Sequence, residues 1–346
     1  MASSITQMPP RIDVHAHIIP PAYRAACLQD GHSKPDGMPG VPAWSPEDHL
    51  KMMDEIGISK AIVSISSPGT HLVAGEDDKA AQLARYCNSY ASQELKKKYP
   101  ARFGYFASLP LPNITSSLKE IELGADEGCD GFVVMSNSHG VYIGDKRFDA
   151  VFDELNHQKA ILFIHPTTPK CPCSGNAGDG STDATPLAGT YANPMLEFFF
   201  DTARVVTNLF LSGTVKRCPD IKFVIPHLGG CMPPLLSRFT GFSGIVPGAW
   251  EAVSQDEAEE AFARQFWFDL AGFPFPSQIK GLMDGAGVKT DRIVYGTDYC
   301  FTPAPLAKNM ALRMDEGMKG MFNDDEIHDM YSRNAETLFR TTNLDA

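Results

Sequence analysis

Asp13-Val14-His15-Ala16-His17 places two imidazoles one residue apart, in an apolar run that ends at Pro20-Pro21. Side chains on an extended strand alternate with a period of two, so His15 and His17 share a face and can both reach one metal ion. Two histidines so spaced can equally do no more than hydrogen-bond. Three further polar residues shift that balance, because each ends an apolar run. His165 closes Ile161-Leu162-Phe163-Ile164, His227 follows Phe223-Val224-Ile225-Pro226, and Asp298 follows Ile293-Val294-Tyr295-Gly296-Thr297. One such histidine is usually a satisfied core residue. Several at the ends of separate strands suit a centre of imidazoles and a carboxylate, the donor set of zinc or a divalent metal of similar preference.

The elements that must position them are legible as short, β-branched runs separated by helical patterns. The runs are Ile12–His15, Ala61–Ile65, Phe103–Ser108, Gly131–Met135, Ile161–His165, Lys222–Pro226, Phe266–Leu270 and Arg292–Gly296. Between them lie helix candidates such as Pro46–Ile56, Asp77–Lys98, Ser116–Glu127, Phe148–Gln158 and Met195–Leu211. Ser45-Pro46-Glu47 and Asn193-Pro194 with Glu197 beyond carry helix-start signals. Eight strands alternating with helices predict an α/β fold, a (β/α)8 TIM barrel over residues 1–346 as one domain. In such barrels the C-terminal ends of the strands carry the chemistry. Two long stretches rich in Gly, Pro and polar residues, 28–44 and 167–192, follow strands 1 and 5. They are expected as loop insertions walling that face.

Composition narrows the partners. The net charge of -12 argues against nucleic acid, which demands a basic footprint. It does not exclude a small anionic substrate, since one local arginine or metal outweighs the global balance. The first ten residues lack the apolar region of a signal peptide, and no stretch approaches the ~18 apolar residues of a membrane span, so a cytoplasmic protein is expected. The eight cysteines are scattered, with Cys171-Pro172-Cys173 the one close pair, and are read as mostly reduced. Cys171 and Cys173 could pair with each other.

Taken together, His15-x-His17, His165, His227 and Asp298 resemble the metal site of the amidohydrolase superfamily, and more narrowly its aminocarboxymuconate-semialdehyde decarboxylase-like group. Trp44-x-Pro46-Glu47, Met53-Asp54-x-x-Gly57, Phe163-x-His165-Pro166, Pro194-Met195-x-Glu197, Pro226-His227-Leu228-Gly229-Gly230 and Tyr295-Gly296-Thr297-Asp298-Tyr299 carry the likeness over nearly the whole chain. Within the group the chain is similar to fungal decarboxylases of small phenolic acids. The resemblance implies one divalent metal per subunit, zinc first and manganese second, held by His15, His17, His165 and Asp298. His227 would sit beside it. Dinuclear relatives place a bridging lysine at the end of strand 4, where this chain has Val133-Val134-Met135-Ser136, so one metal is expected rather than two.

Arg238, eleven residues after His227, matches an arginine that in these decarboxylases reaches the neighbouring subunit's site and holds a substrate carboxylate. A planar guanidinium suits that pairing, although an arginine there can also serve its own helix end. A homodimer or higher homo-oligomer follows if Arg238 works across an interface. The family's second arginine, before the Trp-x-Pro-Glu motif, has no counterpart in Gly37–Ala43, which favours a monocarboxylate. Trp44, Phe301 and neighbouring aromatics could frame a flat acid or simply be core. The reaction the resemblance implies is metal-dependent, non-oxidative decarboxylation of an aromatic 2-hydroxy acid, 6-methylsalicylate foremost, with Asp298 expected to move the proton and His227 to support it. The competing readings are a lactonase-like hydrolase, a decarboxylase of a non-aromatic semialdehyde acid, and a metal-binding barrel without catalysis.

Overall fold

Each of the eight apolar runs forms a strand: β1 Arg11–His17, β2 Ile58–Ser64, β3 Phe103–Ser108, β4 Gly131–Met135, β5 Ile161–His165, β6 Lys222–Ile225, β7 Phe266–Asp269 and β8 Ile293–Val294. The computed structural model describes residues 8–171 and 182–340. The strands pair in chain order, all parallel. The ring closes where Val14 N–H donates to the Tyr295 carbonyl at 2.9 Å and Ala16 pairs with Tyr299. With helices between the strands, this is the (β/α)8 barrel.

Side-chain alternation sorts each strand into two layers. Val14, Ile62, Phe106, Phe163, Val224 and Trp267 form one buried cluster, to which Ala335 and Leu338 of the C-terminal helix contribute. The alternate residues pack outward against the helices in a second, larger cluster. Ile161 and Phe163 share the first cluster, so His165 continues their face at the strand's end, as Asp269 continues that of Trp267.

β1 breaks strict alternation. Asp13 pairs with Ala61 and Ala16 with Val63, so β1 holds one residue more than β2 between these points. That bulge lets Val14 join the inner cluster while His15 and His17 converge on His227 and His165 at the C-terminal ends of the other strands. Asp13, fully buried, pins it: its carboxyl accepts from the backbone N–H of His15 at 3.0 Å, and from the N–H and hydroxyl of Thr297 at 3.1 and 2.6 Å. Burial pushes its pKa up to about 7 against the pull of these donors.

β8 is shorter than the run Arg292–Gly296 predicts. A Cβ at Gly296 would lie 2.8 Å from that of His15, so the chain passes close over β1 only as glycine. Beyond it Thr297 N–H is shared between the Asp13 carboxylate at 3.1 Å and the His15 carbonyl at 3.2 Å. The helix Pro46–Ile56 has the predicted bounds, capped by Ser45, whose side chain accepts from Asp48 N–H, and ended by Gly57 at φ 74°. The Asp77–Lys98 prediction resolves into an α-helix to Tyr90 followed by wider turns over Ala91–Lys96. A helix at Pro21–Gln29, started by its own proline, immediately follows β1. After β5, Lys170–Cys171 pairs antiparallel with Thr182–Asp183, so the insertion carries a short ribbon. Cys173 lies outside the described residues. Six other cysteines are free thiols.

Candidate functional site

His15, His17, His165 and Asp298, from β1, β5 and the turn after β8, bring one ligand atom each within 4.8 Å of one another. The Nε2 atoms of His15 and His17 are 3.1 Å apart, and lie 3.6 and 3.2 Å from Asp298 Oδ1. The three histidines are buried. Such crowding of unshielded nitrogen lone pairs beside a carboxylate is what a divalent cation would relieve, and three imidazoles with one carboxylate match its preferred donors. The residues therefore fit a single metal ion.

Each donor is aimed by a second contact. His15 Nδ1 donates to Asp269 Oδ2 at 2.8 Å, leaving Nε2 for the centre. His17 Nδ1 lies 3.2 Å from Ser64 Oγ, and His165 Nδ1 donates to its neighbour's carbonyl, Pro166 O, at 2.6 Å. Asp298 adopts φ 58°, and its N–H donates to the His15 carbonyl at 2.7 Å, which ties the β8 turn to β1. Burial alone would raise the Asp298 pKa, but the His17 hydrogen bond and the nearby imidazoles hold it below the ordinary carboxylate range. Burial works against protonating His15, yet Asp269 and Asp298 carry its pKa up to about 9. The same pairing holds Asp269 below its usual value despite full burial. His17 and His165 are shifted down, by burial first.

His227 stands beside the four, its ring 5.1 Å from that of His15. Its Nδ1 lies 3.1 Å from the Ala271 carbonyl, an acceptor only, so Nδ1 carries the proton and Nε2 is left with a lone pair. Phe199 stacks on its face at 5.6 Å. The turn that presents it is tight: His227 and Leu228 have φ 52° and 51°, and a Cβ at Gly230 would fall 2.5 Å from the Phe199 carbonyl.

Sequence reasoning missed Asp269. Its Oδ1 also accepts the backbone N–H of His227 and of Ala271, both at 3.0 Å, so one carboxylate braces both histidines. The signal was present, since Asp269 ends the apolar run Phe266-Trp267-Phe268 as His165 ends its own.

The anticipated substrate contacts are placed variously. Phe301 has its ring 6.1 Å from that of His17. Trp44 Nε1–H donates to His49 Nδ1 at 3.1 Å, and its ring packs against Tyr90. His49 is fully buried, which pushes its pKa down to about 3. Arg238 lies on the helix Leu236–Ile245 with its guanidinium 4.8 Å over the Phe242 ring. Of the neighbouring aromatics, Phe198 is buried with its ring 6.1 Å from His165, while Phe200 turns to solvent.

Residues 12–341 match the amidohydrolase family model. The chain belongs to the amidohydrolase family. It is 34% identical over 313 residues to the decarboxylase yanB of Aspergillus niger, covering 89% of this chain and 81% of that one. To the 6-methylsalicylic acid decarboxylase of Penicillium expansum it is 30% identical over 298 residues, 85% of this chain and 86% of that one. Among solved structures, an amidohydrolase II superposes with a TM-score of 0.82 at 27% identity, over 95% of this chain and 99% of that one. A dihydroxybenzoic acid decarboxylase of Polaromonas, solved with manganese and 2-nitroresorcinol, gives 0.76 at 19% identity over 98% and 100%. These likenesses put this amidohydrolase in the superfamily's decarboxylase group.

Proposed function

We propose that this amidohydrolase is a metal-dependent, non-oxidative decarboxylase of a small aromatic 2-hydroxy acid, converting 6-methylsalicylate to 3-methylphenol and carbon dioxide. The observation that carries the reading is the convergence of His15, His17, His165 and Asp298 within 4.8 Å, with His227 beside them. Similarity to decarboxylases, one of them named for 6-methylsalicylic acid, supplies the substrate class. These four residues would hold one divalent ion, zinc or manganese, manganese being the ion in the Polaromonas structure. When bound, the ion supplies Lewis acidity that fixes the carboxylate and the ortho oxygen and favours the phenolate.

Asp298 is held as a carboxylate, so it begins as a base. It accepts the proton of the substrate's 2-hydroxyl and passes it to the ring carbon bearing the carboxylate. The carbon–carbon bond then breaks, its electron pair returns to the ring, carbon dioxide leaves, and the phenolate takes a proton from solvent. His227, with its proton on Nδ1, keeps an Nε2 lone pair beside the centre and would support that proton transfer. Phe301 would line one side of the ring, and Trp44 would support that wall through His49. Arg238 would pair with a substrate carboxylate across a homodimer interface. The exposed Phe242, Ile245 and Trp250 beside it make an apolar strip suited to a second copy of the chain.

The test is carbon dioxide release with product identification on a panel of salicylates, before and after chelation. Metal-dependent formation of 3-methylphenol is expected. Turnover of a lactone or a semialdehyde acid, with every salicylate inert, would overturn the assignment.

A further inference from the structure

β2 aims two serines at the cluster of histidines. Ile62 lies in the inner cluster, while Val63 and Ile65 pack outward. The alternate residues Ser64 and Ser66 therefore continue the inner face past the end of the strand. Each reaches a different histidine, and from a different side. Ser64 Oγ meets His17 at Nδ1, whereas it is Nε2 of His17 that approaches His15 and Asp298. Ser66 Oγ lies 3.5 Å from Nε2 of His165, the nitrogen left for the centre once Nδ1 has donated to the Pro166 carbonyl.

That difference sets what Ser66 can do. His165 Nε2 keeps a lone pair, so Ser66 is the donor in this contact. Its residue is only 5% exposed, and among the described residues its hydroxyl has no other side-chain partner. The neighbouring hydroxyls of Ser67 and Thr167 are joined to each other at 2.7 Å. The backbone beneath is fixed from two sides, because Tyr23 O–H and Gly69 N–H donate to the Ser66 carbonyl at 3.4 and 2.9 Å.

The contact with His165 is conditional. Its Nε2 lone pair is the one that His15, His17, His165 and Asp298 together would commit to an ion. A nitrogen so committed accepts no hydrogen bond, and Ser66 is left as a buried donor in want of an acceptor. Folded proteins rarely leave such a group unpaired. The acceptor must then arrive with the molecule that enters the centre, and the strongest one an aromatic acid brings is a carboxylate oxygen.

From the face that Ser66 shares with Ser64, its burial and its place on the Nε2 side of His165, we propose that Ser66 is a substrate-binding residue whose hydroxyl donates to the substrate's carboxylate. The proposal rests on the reading of this centre as the place where an aromatic hydroxy acid binds. It gives the carboxylate a partner from the same chain that carries the four metal-binding residues.

Two probes divide the substrate between them. The first, 2-methylbenzoate, keeps the carboxylate and lacks the hydroxyl; the second, 3-methylphenol, keeps the hydroxyl and lacks the carboxylate. Titration calorimetry on the full-length, zinc-loaded protein gives a Kd for each. Ser66→Ala retains both backbone contacts of the residue and should fold. It should raise the Kd of 2-methylbenzoate about 10- to 100-fold and leave that of 3-methylphenol unchanged. Metal affinity, read by competition with a chelator, should not fall. An unchanged Kd for 2-methylbenzoate overturns the proposal, and so does an equal loss for both probes, which would mean a disturbed site. Weakened metal binding would assign the hydroxyl to the ion instead. A wild-type protein that binds neither probe overturns the reading of the centre itself, so the two failures are told apart before the variant is made.

Discussion

Asp269 does two jobs with two oxygens, and the division predicts what its amide would do. Oδ1 accepts the N–H groups of His227 and Ala271, while Oδ2 accepts the Nδ1 proton of His15. In Asp269→Asn the carbonyl oxygen must stay with the two backbone donors, which places the NH2 against His15 Nδ1. His15 can then only accept at Nδ1, its proton moves to Nε2, and the lone pair that a metal needs is gone. We expect metal affinity to fall about 10- to 100-fold with the fold retained, as read by competition with a chromophoric chelator and by circular dichroism. Unchanged affinity would mean that Asp269 does not set the tautomer. Asp298→Asn makes a different cut, because an amide cannot carry a proton from the hydroxyl to the ring. Its turnover number should fall about 10²-fold or more while the protein stays folded, and single-turnover assays at saturating metal separate this loss from weaker metal binding.

At the scale of elements, the strand ends that carry the site were legible because three apolar runs close on or lead into His165, His227 and Asp298, polar residues that the barrel core cannot absorb. The helix Pro46–Ile56 was legible because Ser45 and Gly57 punctuate it. The β1 bulge was not, since Asp13-Val14-His15 reads as ordinary alternation and the feature that breaks it, Asp13 accepting from Thr297, spans most of the chain. The Ser136–Asp201–Thr167 link is equally long-range. Asp201, wholly buried, accepts from the hydroxyls of Ser136 and Tyr142 and from Thr167 N–H at 3.2 Å, tethering the loop after His165 to the helix Glu197–Leu211. Burial outweighs these donors and pushes its pKa up to about 6. Its folded pKa thus exceeds the unfolded value near 4, so the folded state binds more protons between those limits. The contribution is full below about pH 4, is lost as pH rises through about 6, and amounts to at most about 2–3 kcal/mol. Asp201→Asn should remove that downward slope, because the amide oxygen can serve Ser136 and Thr167 while its NH2 meets Tyr142. Urea unfolding of both proteins from pH 4 to 7 measures it, and parallel curves would show that Asp201 does not titrate there.

At the scale of the whole molecule, no ion pair among the described residues joins a guanidinium to His15, His17, His165, His227 or Asp298. Arg238 rests over Phe242 on an exposed helix whose outer residues, Phe242 and Ile245, are 51% and 80% exposed. If a second copy covers that helix, Arg238 belongs to the neighbour's site and His227 to its own. Two inactive variants then repair each other. Arg238→Ala lacks the arm it lends, and His227→Ala lacks the histidine it keeps, so a mixed dimer contains one site with both and one with neither. Random assortment makes half of all dimers mixed, with one working site in two, which sets the recovered activity at about a quarter of wild type. The measurement is carbon dioxide release after the two variants are co-expressed with separate tags, beside each variant alone. Recovery of that size demands an Arg238 that crosses the interface. An Arg238→Ala protein that is inactive alone and stays inactive in the mixture would place the arginine in its own subunit's site. Full activity in Arg238→Ala alone would leave the residue to its cation–π contact with Phe242.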